Sequence, residues 1–215
     1  MTTKETSAGY WIKLTLLVII AIIVSIKFLD TGMAERVMII LKSIHTLHAA
    51  TENIPDMLSY IVGGGTILMW IIYLYRFHEK KIDVKEKFLR LAATALPVSY
   101  FVKMLLQFSF GRTSPRDWLI HHEPLVFKFF NYFGGGSFPS GHMTVFAAFG
   151  TAVILYFPKY KRLTTIILAL LGFALIATDY HYLSDVIAGA YLGFGVTYAL
   201  WYLYEKNKVQ AEDYS

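Results

Sequence analysis

Six apolar stretches divide this chain of 215 residues: Trp11–Leu29, Met57–Tyr75, Phe88–Phe108, Gly141–Phe157, Leu163–Thr178 and Val186–Tyr204. Each is close to the roughly 20 residues that a helix needs to cross the hydrocarbon core of a bilayer. Lipid offers no hydrogen bonds, so a crossing segment must satisfy its own backbone, and a helix does so within one segment. The sequence therefore predicts an all-α integral membrane protein with six transmembrane helices. Only 16% of the residues are charged, where a soluble domain carries about 25%. That is too little charge to cover a water-facing surface, and 56% apolar content excludes disorder. The net charge of +5 sits in short clusters between apolar runs, the pattern of cytoplasmic loops rather than of a nucleic-acid surface. With no cysteine, disulfides, thiolate metal sites and cysteine nucleophiles are excluded.

In the first stretch Lys13 and Lys27 lie near the ends, where long side chains snorkel. No small-residue cleavage site follows it, so it reads as an anchor rather than a signal peptide. The fifth stretch is short and is expected to run past Thr178 into the interface. Between the first two, Glu35–Ala50 is too polar to cross. Its Val37, Ile40, Leu41, Ile44 and Leu47 share one helical face, which predicts an amphipathic helix lying along the surface. One domain is expected over 1–215, with its core in 57–204. Five lysines and arginines fall in Arg76–Lys87 and three more in Lys159–Arg162, which places both loops and both termini in the cytoplasm. The Ser109–Ser140 loop and the Asp179–Asp185 turn then share the outer side.

Three groups of polar residues on that side are not explained by the membrane. Lys103 lies about two turns inside the third stretch, where an ammonium facing lipid costs a few kcal/mol, and Gly111-Arg112-Thr113-Ser114-Pro115-Arg116 follows. As a lone residue, Lys103 reads equally well as a snorkelling lysine. Phe138-Pro139-Ser140-Gly141-His142 opens the fourth stretch; bare amides at a helix N-terminus hold anions, although Ser140 also makes a good helix cap. His181 and Asp185 stand four apart, so on a helix the carboxylate reaches the imidazole. Two cations, an amide nest and two histidines on one face suit phosphoryl transfer through a phosphohistidine without a metal or other cofactor.

These residues resemble the type-2 phosphatidic-acid phosphatase superfamily, which includes the vanadium haloperoxidases. Pro139-Ser140-Gly141-His142 matches its second motif letter for letter. His181 and Asp185, with Val186, Ala188 and Gly189 after them, match the end of the third, and Lys103, Arg112 and Pro115 resemble the first. The resemblance implies that His181 is the nucleophile and that Asp185 orients it. It implies that His142 is the general acid and then base, while Lys103, Arg112, Ser140 and the Gly141 amide hold phosphate oxygens. Two departures stand out. Eight residues rather than six separate Lys103 from Arg112, and the arginine of the third motif is replaced by Leu175. Arg116, Lys128, His121 or His122 could supply the missing cation, and Arg116, directly after Pro115, is the favoured one.

The function this implies is a metal-independent lipid phosphate or diphosphate phosphatase acting at the outer leaflet, in a bacterial inner membrane. Candidate substrates are undecaprenyl diphosphate, phosphatidylglycerol phosphate, phosphatidic acid and lipid A. A lipid phosphotransferase with the same histidines, or a low-activity binding protein, is the alternative. Transport is disfavoured, because intramembrane charges other than Lys103 are scarce. Substrate choice is expected to lie in the span faces and the Trp118–Tyr132 loop.

Overall fold

The computed structural model describes residues 3–43, 57–78, 83–130 and 136–213. In chain order they form α1 (Thr3–Val24), a π-helical turn (Ser25–Leu29), α2 (Asp30–Ser43), α3 (Leu58–His78) and α4 (Val84–Phe110). The short α5 (Pro115–Leu119), α6 (Gly141–Tyr156), a 3-10 turn (Pro158–Tyr160), α7 (Lys161–Ala177) and α8 (Leu183–Asp213) follow. The described residues contain no strand, only a single bridge between Arg112 and Phe127.

Among the described residues, five segments are long and apolar enough to cross a membrane: Gly9–Ser43, Tyr60–His78, Val84–Phe110, Pro158–Ala177 and Leu183–Lys206. The remaining apolar helix, α6, has 16 residues, about 24 Å at 1.5 Å per residue, and stops short of a full hydrocarbon thickness. Its position accounts for this. It is the central helix, packed against α8, α4 and α7, with Ala147, Ala148, Gly150, Thr151 and Ala152 buried. Protein rather than lipid surrounds it. The outer helices carry the opposite pattern: Leu16, Ile20, Ile67, Ile71, Ile167 and Leu170 are exposed, as lipid-facing side chains should be.

The predicted surface helix is a direct continuation of the first span, since Gly9–Ser43 runs as one helical segment. Within α2 the buried positions are Asp30, Ala34, Met38 and Leu41. Of the expected apolar face, Leu41 is buried, Val37 half-buried and Ile40 exposed; Ile44 and Leu47 lie outside the described residues.

The tightest helix contact is between α6 and α8. A Cβ on Gly189 would lie 2.6 Å from the Ser140 carbonyl oxygen, and one on Gly193 would strike the Thr144 and Ala148 backbone. Two bare positions one turn apart thus let two backbones touch. At the same end of the bundle, Gln107 Nε2 donates to the Pro139 carbonyl at 3.0 Å, and the Ser140 amide donates to the Asp185 carbonyl at 3.0 Å. The three polar groups of the sequence therefore meet at one end. The opposite end is closed by Phe88 against Phe157 and by Arg90 over the Tyr204 ring. There the Glu86 amide, with Arg76, holds the exposed Asp83 carboxyl below its usual range.

Candidate active site

Asp185 lies in the first turn of α8 and is fully buried. Its Oδ2 accepts the Tyr182 amide at 3.0 Å and stands 3.6 Å from His181 Nδ1. That last distance is longer than a hydrogen bond, a common state of catalytic contacts before substrate tightens them. Its Oδ1 accepts Arg112 Nη1 at 2.7 Å. The same nitrogen donates to Ser184 Oγ at 2.6 Å, and Nη2 donates to Asp30 Oδ2 at 2.8 Å. The guanidinium also lies over the Tyr182 ring, 4.0 Å from its centroid.

Arg112 is aimed by its backbone. Gly111 ends α4 in the left-handed region at φ 51°, a conformation that costs glycine nothing. The chain then runs past Phe127, with Ser137 N–H donating to the Arg112 carbonyl at 2.9 Å and Lys128 N–H to that of Gly111 at 3.0 Å. The phosphate-holding role expected of Arg112 thus meets a side chain that is 3% exposed and engaged with two carboxylates.

Ser140 caps α6, accepting the Met143 amide at 3.3 Å. Gly141 is the first helical residue and is buried. His142, half-buried, meets the Tyr180 ring edge-on at 5.9 Å, and the His181 ring stands 6.1 Å from the same ring. Both histidine rings therefore lie beside Tyr180. On α4, Ser99, Lys103 and Gln107 form a buried polar stripe at helical spacing. Lys103 faces the protein, with Nζ over the Tyr100 ring, rather than lipid.

Of the cations that sequence offered for the missing arginine, Arg116 stands nearest the His181 turn. Ser114 caps α5 and Pro115 opens it, which points Arg116 at the turn after α7. Its Nη2 donates to the Thr178 carbonyl at 3.0 Å and its guanidinium covers the Tyr180 ring at 4.4 Å. Lys128 pairs with Glu123, and His121 and His122 are exposed. Leu175 itself packs in an apolar cluster with Met143, Ala147 and Val186, and its carbonyl accepts the Tyr180 and His181 amides. Leu175→Arg should therefore bury a guanidinium among apolar groups, costing about 3 kcal/mol or more. A lower thermal midpoint without a gain in turnover is expected; higher turnover at unchanged stability would contradict it.

Sequence reasoning missed Asp30, Ser184, Gln107 and Asp179. Asp179, in the turn before His181, is buried with Oδ2 lacking a hydrogen-bond partner. Burial pushes its carboxyl up to about 7, against the pull of Arg116. An unfolded chain releases that proton near pH 4, so between about pH 4 and pH 7 the folded state binds more protons and stability falls as pH rises. Asp179→Asn removes this loss. Its thermal midpoint should gain on the parent from pH 4 to pH 7 and hold the gain above; a gap independent of pH would contradict the assignment.

A family model described as the PAP2 superfamily matches residues 88–208. A lipid A 1-phosphatase from Rhizobium etli is 32% identical over 168 residues, covering 71% of this chain and 70% of that protein. A lipid A 1-phosphatase from Rhizobium johnstonii is 37% identical over 99 residues, covering 45% of this chain and 38% of its own length. Among solved structures, a PAP2-type phosphatidylglycerolphosphate phosphatase from Bacillus subtilis shares 19% identity at a TM-score of 0.47, covering 91% of this chain and 96% of that one.

Proposed function

Because the chain belongs to the PAP2 superfamily, we propose that it is a membrane lipid phosphatase whose nucleophile is His181. The observation that carries this reading is the convergence of the second and third motifs: the Ser140 amide bonded to the Asp185 carbonyl, with His142 and His181 both beside the Tyr180 ring. With Nδ1 turned to Asp185, Nε2 of His181 is the attacking atom. It forms the N–P bond as the bond from phosphorus to the lipid oxygen breaks, and His142 protonates that oxygen. His142 then takes a proton from water, whose oxygen attacks phosphorus and releases phosphate and neutral His181. Lys103, Arg116, Ser140 and the Gly141 amide hold the phosphate oxygens, and Arg112 holds Asp185. The proposed reaction needs no metal, because the two histidines supply the nucleophile and the proton transfers.

Of the candidate substrates, lipid A with a phosphate to remove is favoured, because two relatives are lipid A 1-phosphatases. The test is phosphate release by the purified protein from a panel of lipid phosphates, with and without EDTA. Release from lipid A without an acceptor, unaffected by EDTA, is expected. Headgroup transfer only when an acceptor lipid is present would replace the phosphatase with a transferase. EDTA inhibition reversed by one metal would remove the proposed mechanism.

The site end of the bundle is proposed to face the outer side of a bacterial inner membrane, which the lysines and arginines of Arg76–Lys87 and Lys159–Arg162 at the opposite end support. The chain has no native cysteine, so labelling is clean. An impermeant thiol reagent on intact spheroplasts should label His122→Cys and spare Lys81→Cys; the reverse pattern would invert the topology.

A further inference from the structure

Asp30 lies on the first membrane helix, outside the 88–208 segment that the family model matches, and is 1% exposed. A carboxylate so fully removed from water is retained only when paired. It accepts Arg112 Nη2 at 2.8 Å, the Ser184 amide at 3.1 Å and Ser184 Oγ at 2.5 Å. It thus caps the start of α8 from another helix and holds one edge of the guanidinium whose other edge holds Asp185.

The π turn brings it there. Along α1 and into the turn the protected positions are Trp11, Leu14 and Thr15, Val18, Ala21 and Ile22, then Ser25 and Ile26, a stripe with the period of an α-helix. Continued as α-helix, the stripe would next reach Leu29. The π turn adds one residue, with the Asp30 amide bonded to the Ser25 carbonyl, so Asp30 takes the inward place and Leu29 is exposed. The stripe resumes through Ala34, Met38 and Leu41. π turns of this kind recur at functional sites.

We propose that Asp30 is a positioning residue for the His181–Asp185 pair, acting through Arg112; this rests on the phosphatase reading above. Arginine prefers to grip a carboxylate with both terminal nitrogens. With Asp30 on Nη2, Arg112 takes only Oδ1 of Asp185 and leaves Oδ2 for the Tyr182 amide and His181. Two carboxylates around one guanidinium also leave net negative charge beside His181, which favours the cationic ring formed during phosphoryl transfer. The other titratable or charged groups around this turn are Asp179, Tyr182, Arg116 and His142.

The experiment compares Asp30→Asn and Asp30→Glu with the parent in detergent, following the His181 ring by 15N NMR and phosphate release from lipid phosphates. In Asp30→Asn the His181 pKa should fall by about half to one unit. Its kcat should fall about 10- to 100-fold with KM within about threefold. A folded Asp30→Asn protein with the parent's His181 titration and the parent's kcat overturns the proposal. Should that variant not fold, Asp30→Glu decides. Moving the carboxylate by one methylene should cost about three- to tenfold in kcat, with a smaller fall in the His181 pKa; identity with the parent in both overturns the proposal. If the parent releases no phosphate from any lipid, the phosphatase reading fails, and the His181 titration alone decides the role of Asp30.

Discussion

His181→Ala should lower phosphate release by about four orders of magnitude or more while leaving the fold intact. The His181 ring stands 3.6 Å from the Asp185 carboxylate, and His142 meets the same Tyr180 ring that His181 adjoins. Losing the ring leaves Asp185 held by Arg112 and the Tyr182 amide, so the thermal midpoint should change little. Rapid acid-free quenching with labelled substrate should trap a base-stable phosphoenzyme in the parent and none in the variant. Turnover within tenfold of the parent would remove His181 from the chemistry.

Arg112→Ala carries the largest expected cost in stability. It strands Asp30 and Asp185, two fully buried carboxylates, beside each other without a counter-charge. Breaking a buried pair in this way costs about 3–5 kcal/mol, and here one cation serves two anions. Arg112→Lys should recover little, because a single ammonium lacks the two-edged fork that spans both carboxylates. Adding Asp30→Asn to Arg112→Ala should restore part of the loss by removing one stranded charge. Folded yield and thermal midpoint in detergent are the readouts. A stable Arg112→Ala protein would mean that water reaches the cluster.

The parts of this site legible in the sequence are those whose signal is local. Pro139-Ser140-Gly141-His142 and the four-residue step from His181 to Asp185 place their chemistry through short-range geometry, and the structure puts them at one end of the bundle. The sequence left Lys103 open between a snorkelling and an inward lysine, and the structure turns it inward, with Ser99 and Gln107 buried one turn on either side. The partners of Arg112 were not legible. Its counter-ion is 82 residues away in sequence and faces inward only because of a π turn, which no periodicity in the side chains announces. Residue pattern alone would have turned Leu29 to the protein and Asp30 toward lipid. The fate of Glu35–Ser43 was obscured for a related reason: polarity argued for a break after the first span, yet the helix continues.

The backbone contact between α6 and α8 has a mechanical consequence. Helices separated by side chains can slide by exchanging rotamers, but at Gly189 and Gly193 there is nothing to exchange, and any shear drives main chain into main chain. His142 at the start of one helix and His181 at the mouth of the other, the proposed acid–base and nucleophilic residues, are therefore parts of one rigid block. Admitting a bulky amphiphile would then fall to pieces less firmly tied to that block, such as α5 and the 117–130 segment, since α2 and Arg112 are bound to α8 by the buried bonds among Asp30, Arg112, Ser184 and Asp185.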